Sequence, residues 1–286
     1  MRSSVSIVVP IHEMYKKLMH LNTLISELPS TGIEVILVDD FTSPEASSEI
    51  KAIVNDFCAK EIKLVKGHFG SPGATRNAGL SEATGDWIVF VDSDDRLHPS
   101  EFLDFLQSCT TNQIQIFQFR KIHFTSGKVL QPLSHTDTTY DLVFDMGLWR
   151  MAFPKKFLTE ARFQNLRMGE DVLFFLDVFQ NNSDVQFNSI HSYDYVMGLG
   201  NQLTSNWDAL KDLSNLLNEL ERRIETFEDS KELVSLLYFK NTLSAIKHLG
   251  LIQSRRYIIK SARLFIVSRF EEKRNFFGIF WKLVRK

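Results

Sequence analysis

Short, almost uniformly apolar runs alternate with amphipathic stretches through the first hundred residues. Ser6-Ile7-Val8-Val9-Pro10, Ile33 to Val38, Ile62 to Val65 and Asp86 to Val91 read as strands. Strands covered on both faces of a parallel sheet lose the in-out alternation and become continuous apolar runs. Between the first two, Glu13 to Leu28 carries Leu18, Leu21, Leu24, Ile25 and Leu28 at helical spacing, and Pro29-Ser30-Thr31-Gly32 ends it. Ser43-Pro44-Glu45 is an N-cap followed by proline at the first helical position, which opens a helix to about Phe57. Ala74 to Leu80 and Pro99 to Gln107 are two more helical segments. Strands alternating with helices predict βαβ units, hence an α/β fold with a mostly parallel central sheet.

The pattern changes after about residue 112. Gln113 to His123 alternates apolar and polar residues as a strand does, and Lys128 to Leu133 is its expected partner. Gly169 to Phe179 predicts a short helix and Val185 to Val196 a further strand. From Asn206 onward the expected elements are all helical: Trp207 to Phe227, Ser230 to Leu249 and Tyr257 to Val284. The predicted division is a domain over 1–205 and a basic, amphipathic helical region over 206–286. No internal repeat or low-complexity linker interrupts either part.

Two strands end in aspartates. Val38 runs into Asp39-Asp40, and Val89-Phe90-Val91 into Asp92-Ser93-Asp94-Asp95. Ligands of open α/β sheets sit outside the carboxyl ends of the strands. Three carboxylates within four residues repel one another unless a cation joins them. Oxygen-only donors suit Mg2+ or Mn2+, and such sites combine carboxylates with substrate phosphates. The plainer alternative is a strand end whose aspartates cap turns and helices, and a short Asp-x-Asp motif does not by itself exclude it. His98, next to this cluster, is either a further metal ligand or a solvated loop residue.

Composition is that of a soluble globular protein, 44% hydrophobic and 24% charged. Cys58 and Cys109 lack metal-ligand spacing and read as free thiols of a reducing compartment. Met1 to Ser4 shows no signal peptide, and no apolar window is long enough to predict a membrane-spanning helix. The net charge of -2 is unevenly spread. Ser254 to Lys286 holds ten Lys and Arg against Glu271 and Glu272, a surplus of eight, which leaves -10 on the rest. These basic residues interleave with Tyr257, Ile258, Ile259, Leu264, Phe265, Phe270, Phe276, Phe277, Phe280 and Trp281. Basic amphipathic helices of this kind lie on anionic membranes; the alternative is a helix packed on the protein with a solvated basic face. No nucleic-acid-binding signature is present.

The ordered set Val5 to Pro10, Val38-Asp39-Asp40, Gly73-Ala74-Thr75-Arg76-Asn77-Ala78-Gly79, Gly85-Asp86, Val91 to Asp95 and Gly169-Glu170-Asp171 resembles the family 2 glycosyltransferases over roughly residues 5 to 204. The resemblance implies the GT-A fold, a Rossmann-like sheet flanked by helices. It implies a nucleoside diphosphate sugar donor, with a UDP-sugar as the default, contacted by Pro10, Asp39, Asp40, Gly73, Arg76, Asn77, Asp92, Ser93 and Asp94. Asp40 would meet the base. Asp92 and Asp94 would hold Mn2+ or Mg2+, with Asp95 extending the cluster or replacing one of them. Asp171, with Glu170 second, would be the catalytic base of a single displacement with inversion. Two positions depart from the family: Phe41-Thr42-Ser43 stands where it has Gly-Ser, and Ile11-His12-Glu13 where it has Tyr-Asn. Both border the expected nucleotide pocket.

The expected activity is thus sugar transfer to a hydroxyl of a glycan or lipid-linked acceptor in bacterial surface polysaccharide synthesis. The expected location is cytoplasmic, peripheral on the inner face of the cell membrane through the C-terminal helices, with a homodimer as a further possibility. One rival is a nucleotidyltransferase, which would want a glycine- and lysine-rich loop where this chain has Pro10-Ile11-His12-Glu13. The other is a non-catalytic scaffold recruited to the membrane, against which Asp92, Asp94 and Asp171 argue.

Overall fold

In the computed structural model the described residues are 3–12, 18–131, 138–182, 184–198, 207–226 and 231–267. By internal contacts they fall into two compact units. The first takes Met1–His135, Gly147–Asn165 and Phe174–Gly200; the second takes Thr136–Met146, Leu166–Leu173 and Asn201–Lys286. Two earlier segments of the chain thus join the residues from Asn201 onward in the second unit.

The first unit is built on a sheet of nine described strands in the order β3-β2-β1-β4-β8-β6-β9-β5, with β7 beside β6. The strands are β1 (Val5–Ile11), β2 (Ile33–Asp40), β3 (Glu61–Gly67), β4 (Trp87–Phe90), β5 (Arg96–Leu97), β6 (Ile114–His123), β7 (Val129–Gln131), β8 (Met151–Pro154) and β9 (Val185–Met197). From β3 to β4 every pairing is parallel, as the apolar runs predict. Beyond β4 the sheet becomes mixed: β8 is antiparallel to both neighbours, and β9 pairs parallel to β6 but antiparallel to β5. Strands as short as β5 and β8 bury too few residues to leave a periodic trace in the sequence.

Helices α1 (Leu18–Glu27), α2 (Pro44–Asp56) and α3 (Pro72–Glu82) connect successive parallel strands, and α4 (Pro99–Ser108) leads from β5 to β6. The Ser43 side chain caps α2 by accepting the Ala46 N–H, with Pro44 in its first turn. Leu21, Leu24, Ile25 and Leu28 pack against Val5, Ile7, Val9 and Leu106 in one continuous core. Complete burial of each such side chain stabilises the fold by roughly 2 kcal/mol. Helix α3 lies close on β1 and β2: a Cβ on Gly79 would come within 2.4 Å of Val8 and 2.9 Å of Val38. That close approach gives the glycine of the Arg-Asn-Ala-Gly stretch a packing reason.

The second unit contains α5 (Thr139–Leu142), the first turn of α6 (Glu170–Asn181), α7 (Trp207–Thr226), α8 (Lys231–Leu249) and α9 (Leu251–Val267). The stretch expected to be helical to Val284 is helical to Val267; 268–286, with Phe270 and the aromatic residues after it, lies outside the described residues. Helix α8 packs between its neighbours with Val234, Leu237, Tyr238 and Ala245 fully buried. The Ser261 hydroxyl bonds Thr242 at 3.1 Å, and Arg256 and Lys260 pair with Glu221 and Glu225 of α7. Arg223, 2% exposed, donates to Glu219 and to the Leu173 carbonyl. Gly169 takes φ +86°, and a Cβ there would meet Leu216 at 2.6 Å, so the turn before α6 requires glycine.

Candidate active site

The end of β4 is tied to β1 by the Val91 N–H donating to the Val8 carbonyl at 3.0 Å. The chain then turns, closed by the Asp95 N–H on the Asp92 carbonyl at 3.1 Å. Asp92, Ser93 and Asp94 are half-buried on this turn, whereas Asp95 is 4% exposed. The Asp95 carboxylate points inward and accepts from the Tyr193 hydroxyl at 2.8 Å and the Val196 N–H at 2.7 Å. The same hydroxyl accepts the Asp92 N–H at 3.2 Å. Tyr193, fully buried, thus ties β9 to both ends of the acidic turn. It stacks on Trp149 at 4.7 Å, and Trp149 stacks in turn on Tyr195. Burial, and then the charges of Asp94 and Asp92, push the Asp95 carboxyl well above the usual range. The Tyr193 phenol is pushed up by burial and by Asp95 and Asp92.

The other strand end is organised differently. Asp40 accepts from the Phe69 N–H at 2.6 Å, the Gly70 N–H at 3.2 Å and the Thr75 hydroxyl at 3.2 Å. Its carboxylate therefore fixes the loop between β3 and α3. Asp39 accepts from the Thr42 N–H at 3.1 Å and the Ser47 hydroxyl at 3.2 Å, with Lys66 Nζ at 3.5 Å. Burial opposes ionisation of Asp39, but those bonds and the Lys66 charge outweigh it and hold the carboxyl below its ordinary value. Exposed His12 places Nδ1 3.0 Å from the Asp40 carbonyl. Pro10 lies in β1, one residue before its end.

Helix α3 begins at this edge, its N-terminus capped by the Ser71 side chain on the Ala74 N–H, with Gly73 buried in the first turn. A helix N-terminus offers free N–H groups and a positive dipole end to anions. Arg76 donates to Asp92 at 2.9 Å and its guanidinium lies 5.7 Å from the centroid of the Phe163 ring. Asn77 exchanges two 2.9 Å hydrogen bonds with the Phe163 backbone, so its amide holds that loop. The structure thus gathers Pro10, Asp39, Asp40, Gly73, Arg76, Asn77, Asp92, Ser93, Asp94 and Asp95 at the carboxyl ends of β1, β2 and β4 and the start of α3. All belong to the first unit.

Residues 6–177 match the family model described as glycosyl transferase family 2. The chain belongs to glycosyl transferase family 2. Among curated relatives, the poly(ribitol-phosphate) beta-glucosyltransferase of Bacillus spizizenii is 25% identical over 209 residues, covering 68% of this chain and 32% of that protein. The chain thus spans about a third of that relative's length. Among solved structures, Staphylococcus aureus TarS 1-349 in complex with UDP-GlcNAc superposes with a TM-score of 0.67 at 18% identity, over 96% of this chain and 79% of that one. The mannosyltransferase PcManGT from Pyrobaculum calidifontis, in complex with GDP-Man and Mn2+, gives 0.60 at 13% identity, over 100% and 81%. The fold is the GT-A fold of this family.

The stretch matched to family 2 runs past Glu170 and Asp171, which open α6 inside the second unit. Glu170 is 7% exposed, and Asp171 is half-buried with its Oδ1 accepting the Val172 N–H at 2.8 Å. His98, expected to be either a metal ligand beside the acidic turn or a solvated loop residue, takes a third place. Its Nε2 is 2.9 Å from Asp194 Oδ2, and His191 Nε2 is 2.9 Å from Oδ1. Arg120 forks onto the same carboxylate at 2.5 and 2.9 Å. His98, His191 and Asp194 are ligand-type side chains that converge, but an arginine already neutralises the carboxylate at their centre. Tyr193, Thr75 and the Asp194 group support these strand ends through side-chain bonds that sequence reasoning did not find, because most of their partners are distant in the chain.

Proposed function

We propose that this glycosyltransferase moves a sugar, with inversion, from a nucleoside diphosphate sugar to a hydroxyl of a glycan or lipid-linked acceptor in surface polysaccharide synthesis. The observation that carries the reading is the meeting of the Asp92-Ser93-Asp94 turn, Arg76 and the α3 N-terminus at one edge of the sheet. An acidic turn beside an arginine and a helix N-terminus is the complement of a cation-bound diphosphate. Asp92 and Asp94 supply oxygen donors only, which fits Mg2+ or Mn2+. A cation held there supplies Lewis-acid neutralisation of the departing diphosphate. Asp95 supports the turn from beneath in this reading, since Tyr193 and Val196 occupy its oxygens. Arg76 adds a fixed positive charge beside Asp92. Asp171 takes the proton of the attacking hydroxyl, a role that contributes typically about 10²–10⁴-fold; Glu170 is second to it. UDP is the expected nucleotide.

The membrane reading rests on α9. Leu251, Ile252, Ile259 and Ile266 are exposed on it, and Arg255 and Arg263 are exposed beside them. No helix among the described residues is long and apolar enough to cross a membrane, so attachment in this reading is peripheral. The deciding experiment is a thermal-shift and transfer screen with UDP, GDP, TDP and CMP and their sugars, each with and without Mn2+. A metal-dependent shift of one nucleotide, about 2.7 kcal/mol at a hundredfold excess over Kd, is expected, together with sugar transfer that Asp171→Asn abolishes. No shift with any nucleotide overturns the donor site. Co-sedimentation with vesicles containing anionic lipid, absent with neutral vesicles, tests the α9 surface.

A further inference from the structure

Immediately after Asp40 the chain does something unfavourable. Phe41 takes φ 55°, the left-handed region, and among the described residues it is the non-glycine that does so. An L-residue there is strained, and such strain persists where the surroundings impose it, often at ligand sites. The Phe41 ring is also 73% exposed. It stacks on exposed His68 with centroids 4.7 Å apart and planes 15° from parallel. A single exposed phenylalanine needs no explanation; a strained one, stacked on a second exposed ring, does.

The surroundings narrow the occupant. Phe41 and His68 come directly after β2 and β3, neighbouring strands in which Asp40 pairs with Gly67. With Asp39, Thr42, Ser47, Lys66 and Gly67 they line a cleft of about 400 Å3. The Asp39 carboxylate, the Thr42 and Ser47 hydroxyls and the Lys66 ammonium line it beside the flat π-faces of the two rings. A flat ligand with hydrogen-bonding edges matches both. Distance makes the same point. In the order β3-β2-β1-β4, the cleft lies two to three strand spacings from the Asp92 turn, roughly 10 to 14 Å. A base joined through ribose to a diphosphate at that turn reaches this far, whereas the transferred sugar leaves from the diphosphate's other end.

We propose that Phe41, backed by His68, is the platform on which the base of the donor nucleotide stacks. The inference rests on the donor reading and goes further, because it gives the departure Phe41-Thr42-Ser43 a task. The base is gripped by its face, a contact available to every base, while the polar lining meets its edge.

Titration calorimetry in the presence of Mn2+ tests this with UDP, GDP and inorganic pyrophosphate on the wild type, Phe41→Gly, Phe41→Leu and His68→Ala. Glycine accepts the left-handed backbone, so Phe41→Gly keeps the turn. The expected result is a loss of about tenfold or more for UDP or GDP in both Phe41 variants, a smaller loss in His68→Ala, and unchanged pyrophosphate binding. Unchanged nucleotide affinity in Phe41→Gly overturns the platform and leaves the donor site standing. Equal losses for pyrophosphate and nucleotide also overturn it, since the turn and not the ring would then matter. Wild-type protein that binds none of the three overturns the donor reading and the platform together.

Discussion

Two aspartates of the first unit, each paired with an arginine, show opposite ways of using a carboxylate. Asp92 stands at the end of the parallel half of the sheet; its side chain is 29% exposed, with Arg76 on Oδ1. Asp194 lies on β9 in the mixed half and is completely buried. Arg120, His98 and His191 together supply four contacts to its two oxygens. Burial alone would raise its carboxyl, but the bonds from His98 and Arg120 drive it far below the usual carboxylate range. A carboxylate whose lone pairs are all taken by its own protein is structural. One that keeps solvent access beside an arginine and a helix N-terminus remains available to a ligand. Counting acidic residues does not separate the two; counting partners does.

The comparison is broken most severely at the open site. Asp94→Asn is expected to lower sugar transfer by about a thousandfold or more, since several kcal/mol of transition-state charge stabilisation would go with the cation. Its melting temperature should stay within a degree or two of wild type. Transfer of radiolabelled sugar measured beside thermal unfolding checks both; retention of a tenth of the activity would sink the assignment. The closed site should behave in the reverse manner. Asp194→Asn removes the shared partner of three cationic or polar groups and is expected to cost about 3 kcal/mol of stability. Denaturant titration reads this, and a stability unchanged to within about 0.5 kcal/mol would show that the network contributes little.

Tyr193→Phe sharpens the contrast, because Tyr193 lies on β9 yet holds the open site. Removing the hydroxyl leaves Asp95 short of one buried donor and frees the Asp92 N–H, at an expected cost of about 2 kcal/mol. It should also weaken Mn2+-dependent nucleotide binding severalfold, whereas Tyr195→Phe should not. Equal nucleotide titrations for the two variants would remove Tyr193 from the site.

The smallest expected effect is one of pH. Burial, and then the neighbouring His98 charge, lower the His191 value despite the opposing pull of Asp194. A histidine whose folded value is depressed contributes stability that is present above its unfolded value, near 6.5, and is lost as pH falls through the folded one. Asp194, also depressed, adds a second loss that begins below about pH 4. Wild type should therefore lose stability relative to His191→Gln when urea unfolding is moved from pH 7.5 to 5.5, a difference in which the opposing titration of the raised Asp95 cancels. A wild type that gained stability relative to His191→Gln at the lower pH would reverse the sign and refute the reading.

By itself the amino-acid sequence determined the parallel half of the sheet and the place of the acidic turn. Doubly covered strands must be apolar without interruption, and the run from Trp87 to Val91 can stop only where the sheet stops. The caps of α2, the motif order carried by Asp40, Arg76, Asp94 and Asp171, and the family were legible for the same reason: each is a local pattern with a local physical cause. Tertiary structure alone decided which polar groups remain open. Asp40 is spent on the Phe69–Gly70 backbone, Asn77 on Phe163, and Asp95 on Tyr193 and Val196. The Asp194 cluster joins residues 98, 120, 191 and 194 through the pairing of β5, β6 and β9. A hydrogen bond depends on a few tenths of an ångström between atoms that lie far apart along the chain. Nothing in the spacing of the residues encodes that distance until the sheet has brought them together.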